Sequence, residues 1–325
     1  MLNRYRSSFF ASLPLTLLYG LVTRFVFQSD VGSNILGVLT IGLILFGPLA
    51  VGALTVFFSP ERHKTSWPFA VFMPWVACAA LMVVIALLAW EAWICIVMAA
   101  PFFLVMSSAG GALVCLIARR KSANRSSNAS LMALVLLSPY LVAPLEHQLP
   151  VTDSIRTVSS QVLIEADAAT VWRNITSVSR IGEQEHGWSF YHVAGLPRPI
   201  AATLSHQGVG GMRRAIYEQG LRFNETVTVW EPQRRLSFTI DPDTSAVASA
   251  TLPLRGIGGP FFTTLDGAYT IEPLDDRRVI LHFSSRHRLS THFNAYGGLW
   301  TDLIMSDLQR HILEIVKGRS EGSKT

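Results

Sequence analysis

Residues 222–240 read RFNETVTVWEPQRRLSFTI, and polar and apolar residues alternate along this stretch on both sides of a Trp-Glu-Pro corner. A period of two is typical of a strand with one buried face and one solvated face. The two halves of the stretch are therefore predicted to form a β-hairpin in contact with water. The residues before position 146 are nearly all apolar, so we expect a soluble β-rich domain on a membrane protein.

The composition of the 325-residue chain is too apolar for an ordinary soluble protein, with 50% hydrophobic and 15% charged residues. The excess lies in five apolar runs, and the first four reach the roughly 18 to 20 residues that a helix needs to cross the bilayer. The fifth is shorter and contains two prolines, so it forms either a fifth span or a re-entrant or interfacial helix. The runs are 9–27, 35–58, 69–90, 92–118 and 129–145.

Basic residues in short loops predict the topology, because Lys and Arg stay on the cytoplasmic side. With five spans the N-terminus is cytoplasmic and the C-terminal domain lies outside; with four spans that domain would be cytoplasmic. A cleaved signal peptide is the alternative for the first run, but no convincing small-x-small cleavage site follows it. The basic residues lie at the N-terminus and in the second and fourth loops: Arg4, Arg6, Arg62, Lys64, Arg119, Arg120, Lys121 and Arg125.

Several classes of chemistry find no support in the sequence. The three cysteines, Cys78, Cys95 and Cys115, all lie in apolar runs, so neither disulfides nor thiol chemistry is expected in the soluble part. The histidines show no metal-binding spacing, and no nucleotide-binding or hydrolase motif occurs. No basic run interleaved with aromatic residues suggests nucleic acid. We therefore expect no metal, no cofactor and no nucleic-acid partner.

The membrane region is predicted to be an anchor or scaffold, since no ionisable residue lies at mid-span. Small residues in SSAGGA (107–112), together with Gly42, Gly47 and Gly52, are expected to let the helices pack closely. A gate or hinge at these glycines is the alternative.

The pattern changes after the membrane region. The predicted domains are a membrane region at 1–148, a linker at 149–156, a soluble domain at 157–321 and a flexible tail at 322–325. In the soluble domain, a strand at 158–164 precedes a helix that Asp167 caps. Hairpin strands are then predicted at 212–218, 221–230, 235–240, 267–272 and 278–289.

A helix at 295–317 is predicted to close the domain. Its expected apolar stripe consists of Leu299, Leu303, Ile304, Leu308, Ile312 and Ile315. Strands followed by this long helix suggest a curved antiparallel sheet around it, with a cavity between them. Two segments rich in Gly, Pro and aromatic residues, 187–208 and 241–266, are predicted loops. The second is interpreted as a flap over the cavity; aromatic residues of the first either plug its open end or contact lipid.

Four segments carry a resemblance to a known superfamily: EADAATVWRNI (165–175), GLPRPIAATLSHQGVGGMRRAIYEQGLRFNETVTVWEPQRRLSFTI (195–240), LDGAYTIEPL (265–274) and HILEIVKGRSE (311–321). They resemble the SRPBCC superfamily of START-type lipid carriers and polyketide cyclases, and more narrowly bacterial members with an N-terminal multi-span membrane region. The resemblance implies an α+β helix-grip fold, an apolar ligand and a place in the bacterial inner membrane with a periplasmic C-terminal domain. It implies no particular reaction, because only some members are enzymes.

Strand parity predicts which side chains line the cavity. Phe223 and Val227 share one face of their strand, so this face is inward, and Glu225 lies on it too. A buried carboxylate is costly unless it is paired. In the expected hairpin register Tyr217 lies across from Phe223 and Ala215 across from Glu225. This register places Arg213 one diagonal from Glu225, within reach of its side chain.

The same counting turns Tyr269, Phe283 and His287 inward. The predicted ligand-binding residues are Arg213, Tyr217, Phe223, Glu225, Val227, Tyr269, Phe283, His287 and Trp300. The Arg213 and Glu225 pair either fixes the register, anchors a ligand head group or supplies a general acid or base. No second convergent acid or base is evident, so no catalytic residue is assigned.

The sequence thus favours a membrane-anchored binding or carrier protein for a lipid or another apolar small molecule, with the bilayer itself as a partner. The alternatives are a cyclase or hydrolase acting on a membrane-derived substrate, and an interaction or sensory module with a filled interior. Protein partners are not identified.

Overall fold

The computed structural model describes residues 2–28, 40–88, 90–91, 93–120, 125–146, 148–243 and 257–322, and only the backbone of 2–12 and 125–128. The chain divides into two compact units, Met1–Pro150 and Val151–Thr325. The predicted domain bounds stay predictions, and most of the predicted tail lies outside the described residues. The first strand begins at Ser154, inside the predicted linker.

The described part of the first unit is helical. A π-helical segment, Gly42–Phe46, leads directly into α2. The α-helices are α1 (Leu2–Gln28), α2 (Gly47–Phe57), α3 (Glu61–Lys64), α4 (Trp67–Leu87), α5 (Trp93–Arg119) and α6 (Arg125–Glu146).

Among the described residues, three helical segments are long and apolar enough to cross a membrane: Trp67–Leu87, Trp93–Arg119 and Ala129–Glu146. The last corresponds to the fifth apolar run, for which its prolines made a re-entrant helix an alternative to a span. The other two predicted spans contain shorter apolar segments, Leu13–Gln28, which is the part of α1 whose side chains are described, and Gly42–Phe57. The structure therefore indicates membrane association, and the number of five spans stays a prediction.

Glycines bring three helices of this unit into close contact. A Cβ on Gly52 would lie 1.9 Å from the Ser107 carbonyl oxygen, and one on Gly110 would lie 1.9 Å from the Leu49 carbonyl oxygen. A Cβ on Gly111 would meet the carbonyl oxygen of Ala70 at 2.0 Å. The helix backbones thus approach more closely than any larger residue permits, as the small-residue pattern predicted.

In the second unit, the described strands form one antiparallel sheet of seven strands in the order β1-β7-β6-β5-β4-β3-β2. The strands are β1 (Ser154–Ile164), β2 (Pro199–Leu204), β3 (Met212–Tyr217), β4 (Arg222–Glu231), β5 (Arg235–Asp243), β6 (Phe262–Asp275) and β7 (Arg278–Leu289). The helices are α7 (Ala168–Thr176), α8 (Phe190–Val193) and the long α9 (Asn294–Ser320).

The core of this unit joins the sheet to α7 and α9. Inward residues of the strands, such as Leu236 and Leu281, pack in one cluster with Ile175 of α7 and Leu313 of α9. The predicted cap of α7 is present, because the Thr170 N–H donates to Asp167 Oδ1 at 2.8 Å. A sheet with a long C-terminal helix on its apolar face is the predicted helix-grip arrangement.

Two predicted loops contain strand. Residues 199–204, inside the predicted loop 187–208, form β2 and pair with β3. Phe262 and Thr264, inside the predicted flap 241–266, pair with β7 as the start of β6. Proline and glycine suggested loops there, but edge pairing and the start of a strand tolerate both residues. Residues 244–256 of the flap lie outside the described part.

The predicted apolar stripe of α9 is wrong at its N-terminal end. Leu299 and Leu303 are 66% and 45% exposed. The sheet instead contacts a face that carries polar residues, and Gln309 on this face is buried because its Nε2 donates to the Val158 carbonyl oxygen and to Ser285 Oγ. Specific hydrogen bonds outweigh hydropathy here. The buried residues of the helix are Gly298, Met305, Gln309, His311, Leu313, Ile315, Val316 and Ser320.

Candidate functional site

The candidate site begins with two charged residues on the inner face of the sheet. Arg213 of β3 lies directly opposite Glu225 of β4, and the two form an ion pair through Nη1 and Oε2. Arg213 is 5% exposed and Glu225 is 6% exposed. The predicted contact between them is therefore confirmed.

The predicted hairpin register is wrong by two residues. Ala215, rather than Tyr217, pairs with Phe223. The turn is tight, since Gln219 adopts a left-handed conformation with φ of 57° and the Tyr217 N–H donates to the Leu221 carbonyl oxygen. A shift of two residues leaves each side chain on its face of the sheet. The predicted inward faces are correct for this reason.

The charged pair is enclosed by aromatic rings. The Arg213 guanidinium carbon lies 5.5 Å from the centre of the Phe238 ring. Phe238 in turn contacts Tyr269, with ring centres 6.1 Å apart, and Tyr269 stacks on Phe283 at 4.2 Å. Gly267 leaves room for these rings, because a Cβ there would lie 2.8 Å from the Phe238 ring.

A second aromatic contact flanks the pair. Tyr217 and Phe223 meet edge to face with ring centres 5.3 Å apart, and both are 9% exposed. Tyr191 of α8 is 6% exposed, and its phenol interacts electrostatically with that of Tyr217. Tyr191 belongs to the aromatic segment that is predicted either to plug the open end of the cavity or to contact lipid, and it lies in α8. Alternation of Leu236 with Phe238 along β5 is a signal that identifies Phe238 as inward.

Burial controls the ionisation of this site. It raises the pKa of Glu225, although the Arg213 guanidinium opposes the shift. Burial disfavours the charged form of Arg213, but Glu225 offsets this and the pKa of Arg213 is raised. Burial also raises the pKa of Tyr191, Tyr217 and Tyr269. These phenols therefore keep their protons near neutral pH and act as hydrogen-bonding groups rather than as bases.

One polar atom of the pair has no partner. Nε of Arg213 is buried and makes no hydrogen bond. An N–H that is removed from water without an acceptor is unfavourable, and unpaired groups of this kind need an explanation. The site thus offers a free donor beside an ion pair, within an aromatic enclosure.

No family model matches the chain, and no curated protein does. Solved structures do. A START superfamily protein from Mycobacterium smegmatis matches with a TM-score of 0.36 and 14% identity, over 52% of this chain and 99% of its own. Norcoclaurine synthase from Thalictrum flavum, in complex with dopamine and hydroxybenzaldehyde, matches with a TM-score of 0.34 and 9% identity, over 53% of this chain and 90% of its own. A Streptomyces aromatase/cyclase matches with a TM-score of 0.34 and 12% identity, over 52% of this chain and 94% of its own.

We call the C-terminal unit SRPBCC-like, after the resemblance of its sequence segments and after its own helix-grip arrangement of an antiparallel sheet and a long C-terminal helix.

His287 and Trp300 stand apart from the aromatic enclosure of the SRPBCC-like unit. His287 is fully buried, and its Nε2 lies 3.1 Å from Thr301 Oγ1 and 3.7 Å from Asp302 Oδ1. Burial lowers its pKa, which favours the neutral ring. Asp302 also forms an ion pair with Arg156, so this cluster ties α9 to β1 and β7. Trp300 is half-buried and contacts Tyr296.

Six of the nine predicted residues lie together in the SRPBCC-like unit: Arg213, Tyr217, Phe223, Glu225, Tyr269 and Phe283. Val227, with 1% exposure, joins them, because it lies in the same buried cluster as Tyr269 and Phe283. Among the described residues, no group of three or more His, Cys, Asp or Glu side chains is arranged to hold a metal ion. This face of the sheet thus brings together a buried ion pair, a buried N–H without a partner and several aromatic rings.

Proposed function

We propose that the SRPBCC-like unit binds a lipid or another apolar small molecule on the inner face of its sheet, in a protein that its N-terminal helices anchor to a membrane. The observation that carries this proposal is the unpartnered Nε–H of Arg213, buried beside Glu225 and surrounded by aromatic rings. A ligand oxygen would accept the hydrogen bond that this donor lacks.

The energetics of the charged pair support a binding role. Desolvation of two charges can cost more than their attraction returns, and apolar replacements of buried ion pairs are often neutral or stabilising. Stability alone therefore does not explain Arg213 and Glu225. A polar group that orients a bound ligand does, because ligand sites combine apolar walls with a few placed polar groups.

The proposed ligand lies with its polar group at Arg213 and its apolar part along the rings of Phe238, Tyr269 and Phe283. Tyr217 and Phe223 flank the polar end, and their phenol and phenyl edges exclude water from it. His287 and Trp300 are proposed only for the far end of an extended ligand.

The proposed location is the bacterial inner membrane. Basic loops favour a cytoplasmic N-terminus, and with five spans the SRPBCC-like unit is periplasmic. No reaction is proposed: Glu225 is held by Arg213, and the buried phenols retain their protons, so neither is poised as a general base.

The test is native mass spectrometry of the full chain released from a mild detergent. We expect a co-purifying lipid or other apolar molecule that Ala215→Phe displaces, since Ala215 is buried between Arg213 and Tyr217 on the inner face of β3. Ile216→Phe, on the opposite face, is the control and should keep the ligand. A fully occupied Ala215→Phe protein, or a wild-type protein that never carries a ligand, would favour an interaction module instead.

A further inference from the structure

A strap, residues 182–196, crosses from the sheet to α9 in the SRPBCC-like unit. Before the strap, Val178 pairs with Ala202 of β2 through hydrogen bonds of 2.7 and 2.9 Å. Within the strap, α8 carries the buried Tyr191 whose phenol interacts with that of Tyr217. The strap therefore covers the edge of the proposed ligand site that lies towards β2 and β3.

Three polar contacts hold the strap to α9. Arg319 binds Glu185 through Nε and Nη2 at 2.6 and 3.0 Å. Asp307 accepts hydrogen bonds from Ser189 Oγ and from the Tyr191 N–H at 2.7 and 2.8 Å. The third contact lies between two histidines, and it differs from the others because both partners titrate near neutral pH.

His186 of the strap and His311 of α9 face each other. His186 Nδ1 lies 3.1 Å from His311 Nε2, and the two rings lie side by side, with centres 5.3 Å apart and planes 13° apart. This contact needs one nitrogen that donates and one that accepts, so at least one ring must be neutral. The first proton can be shared between the rings, but the second puts two cations next to each other.

The surroundings of the pair favour its neutral form. Burial is the largest cause that lowers the pKa of both rings, and Arg198 acts in the same direction on both. Each ring's pKa is lowered from an ordinary value of 6.5. The charged and titratable groups that face the pair are Glu183, Glu185, Arg198 and Glu218 at His186, and His192, Arg198 and Asp307 at His311.

The sign of the pH dependence follows from the direction of these shifts. A histidine whose pKa is lowered by folding stabilises the native contact above its ordinary pKa and loses that contribution as the pH falls. The Glu185 carboxylate behaves differently, because its hydrogen bonds to Arg319 lower its pKa from 4.5. The ion pair therefore persists through the range in which the histidines gain protons.

We infer that the strap is a cover of the proposed ligand site that acid loosens, with the contact between His186 and His311 as its pH-sensitive latch. The inference rests on the proposed function only in that the strap covers a ligand site, whereas the latch rests on the geometry of the contact between the two histidines. Even at the dielectric constant of water, two unit charges a few ångströms apart repel enough to shift an equilibrium about ten-fold. In acid, the segment around His186 should separate from α9, while Glu185 stays paired with Arg319 and Asp307 keeps its hydrogen bonds to Ser189 and Tyr191.

Hydrogen exchange of the full chain in detergent tests the latch without any ligand. Between about pH 7.5 and about pH 5, the protection of strap amides, corrected for intrinsic chemical exchange, should fall about ten-fold in the wild type. Amides of β6 should keep their protection. His186→Gln removes one titrating ring at a partly exposed position, so its strap protection should vary little with pH.

His282→Gln is the matched control, because His282 pairs with Glu272 outside the strap and its loss should leave the full response. A wild-type strap whose protection does not change with pH, or an unaltered response in His186→Gln, overturns the inference. If His186→Gln does not fold, NMR titration of the wild-type imidazoles decides instead: two independent titrations near pH 6.5 would contradict a coupled pair. Failure to find any ligand would sink the proposed function but leave the latch measurable.

Discussion

Arg213 and Glu225 are direct partners across the β3–β4 ladder, and their side chains form an ion pair on the buried face of the sheet. The neighbours of the pair on the flanking strands are Leu204 and Ile240, so either charge, if left alone, has no charged cross-strand neighbour. The consequences for stability and for ligand choice can be measured separately.

Loss of one partner should cost more than loss of both. Glu225→Ala should lower the free energy of unfolding of the SRPBCC-like unit by about 3 to 5 kcal/mol, because it leaves a buried guanidinium unpaired. The double change Arg213→Met with Glu225→Leu should recover much of this loss. Pulse proteolysis of the full chain in urea measures these variants together with the single changes Arg213→Met and Glu225→Leu, and strictly additive effects of those two would show that the pair is not coupled.

The charge of the pair should set the preference for a ligand head group. Glu225→Gln keeps the shape of the side chain but leaves the Arg213 charge uncompensated. Binding of a fatty acid relative to the fatty alcohol of the same chain length should then rise by about ten-fold or more. Competition measured by native mass spectrometry checks this ratio.

Glu231→Gln is the control for this experiment, because Glu231 is exposed on the same strand. An unchanged ratio in Glu225→Gln would place the ligand head group away from Arg213.

Close helix packing in the first unit should depend on Gly52. Gly52→Ala brings a Cβ to 1.9 Å from a backbone oxygen of Ser107, whereas Gly47→Ala meets only a side-chain carbon of Leu43 at 3.7 Å. The first change should expose the buried Cys78 and Cys115 to maleimide by separating the helices. Gly47→Ala should leave the labelling unchanged or reduce it, since alanine favours helix.

The side of the membrane on which the SRPBCC-like unit lies can be tested with single cysteines in a background without the native three. Gln161 is exposed on β1, and Glu61 is exposed on α3. In cells with a permeabilised outer membrane, Gln161→Cys should react with an impermeant maleimide and Glu61→Cys should not. Labelling of neither position would mean that the fifth apolar run does not cross, so that with four spans the SRPBCC-like unit is cytoplasmic.

The inward side chains of the sheet followed from sequence, although their exact partners did not. Parity depends only on the two-residue repeat of a strand, so Phe223, Glu225 and Val227 were assigned to the inner face correctly. The register depends on the turn. Gln219 adopts a left-handed conformation, which its residue type does not predict, because glycine is the usual residue in that conformation.

The stripe on α9 shows a second limit of sequence patterns. Leu299 and Leu303 are exposed, while Gln309 and His311 are buried. Hydropathy places the apolar residues inside, but the buried face of this helix is chosen by partners from distant strands: Gln309 hydrogen-bonds Val158 and Ser285. Such partners are 24 to 151 residues away in the chain.

The sequence by itself determined what local chemistry controls: apolar helical runs, alternating strands, the cap at Asp167, and the presence of Arg213 and Glu225 on an inner face. These features arise from the period of the backbone and from water, and they need no knowledge of the rest of the chain. Only the tertiary structure decided that Tyr191 enters the site, that Phe238 lies under Arg213, and that His186 meets His311 across 125 residues. Contacts between distant segments depend on how the whole sheet curves and how the strap returns to α9, and no local pattern encodes that geometry.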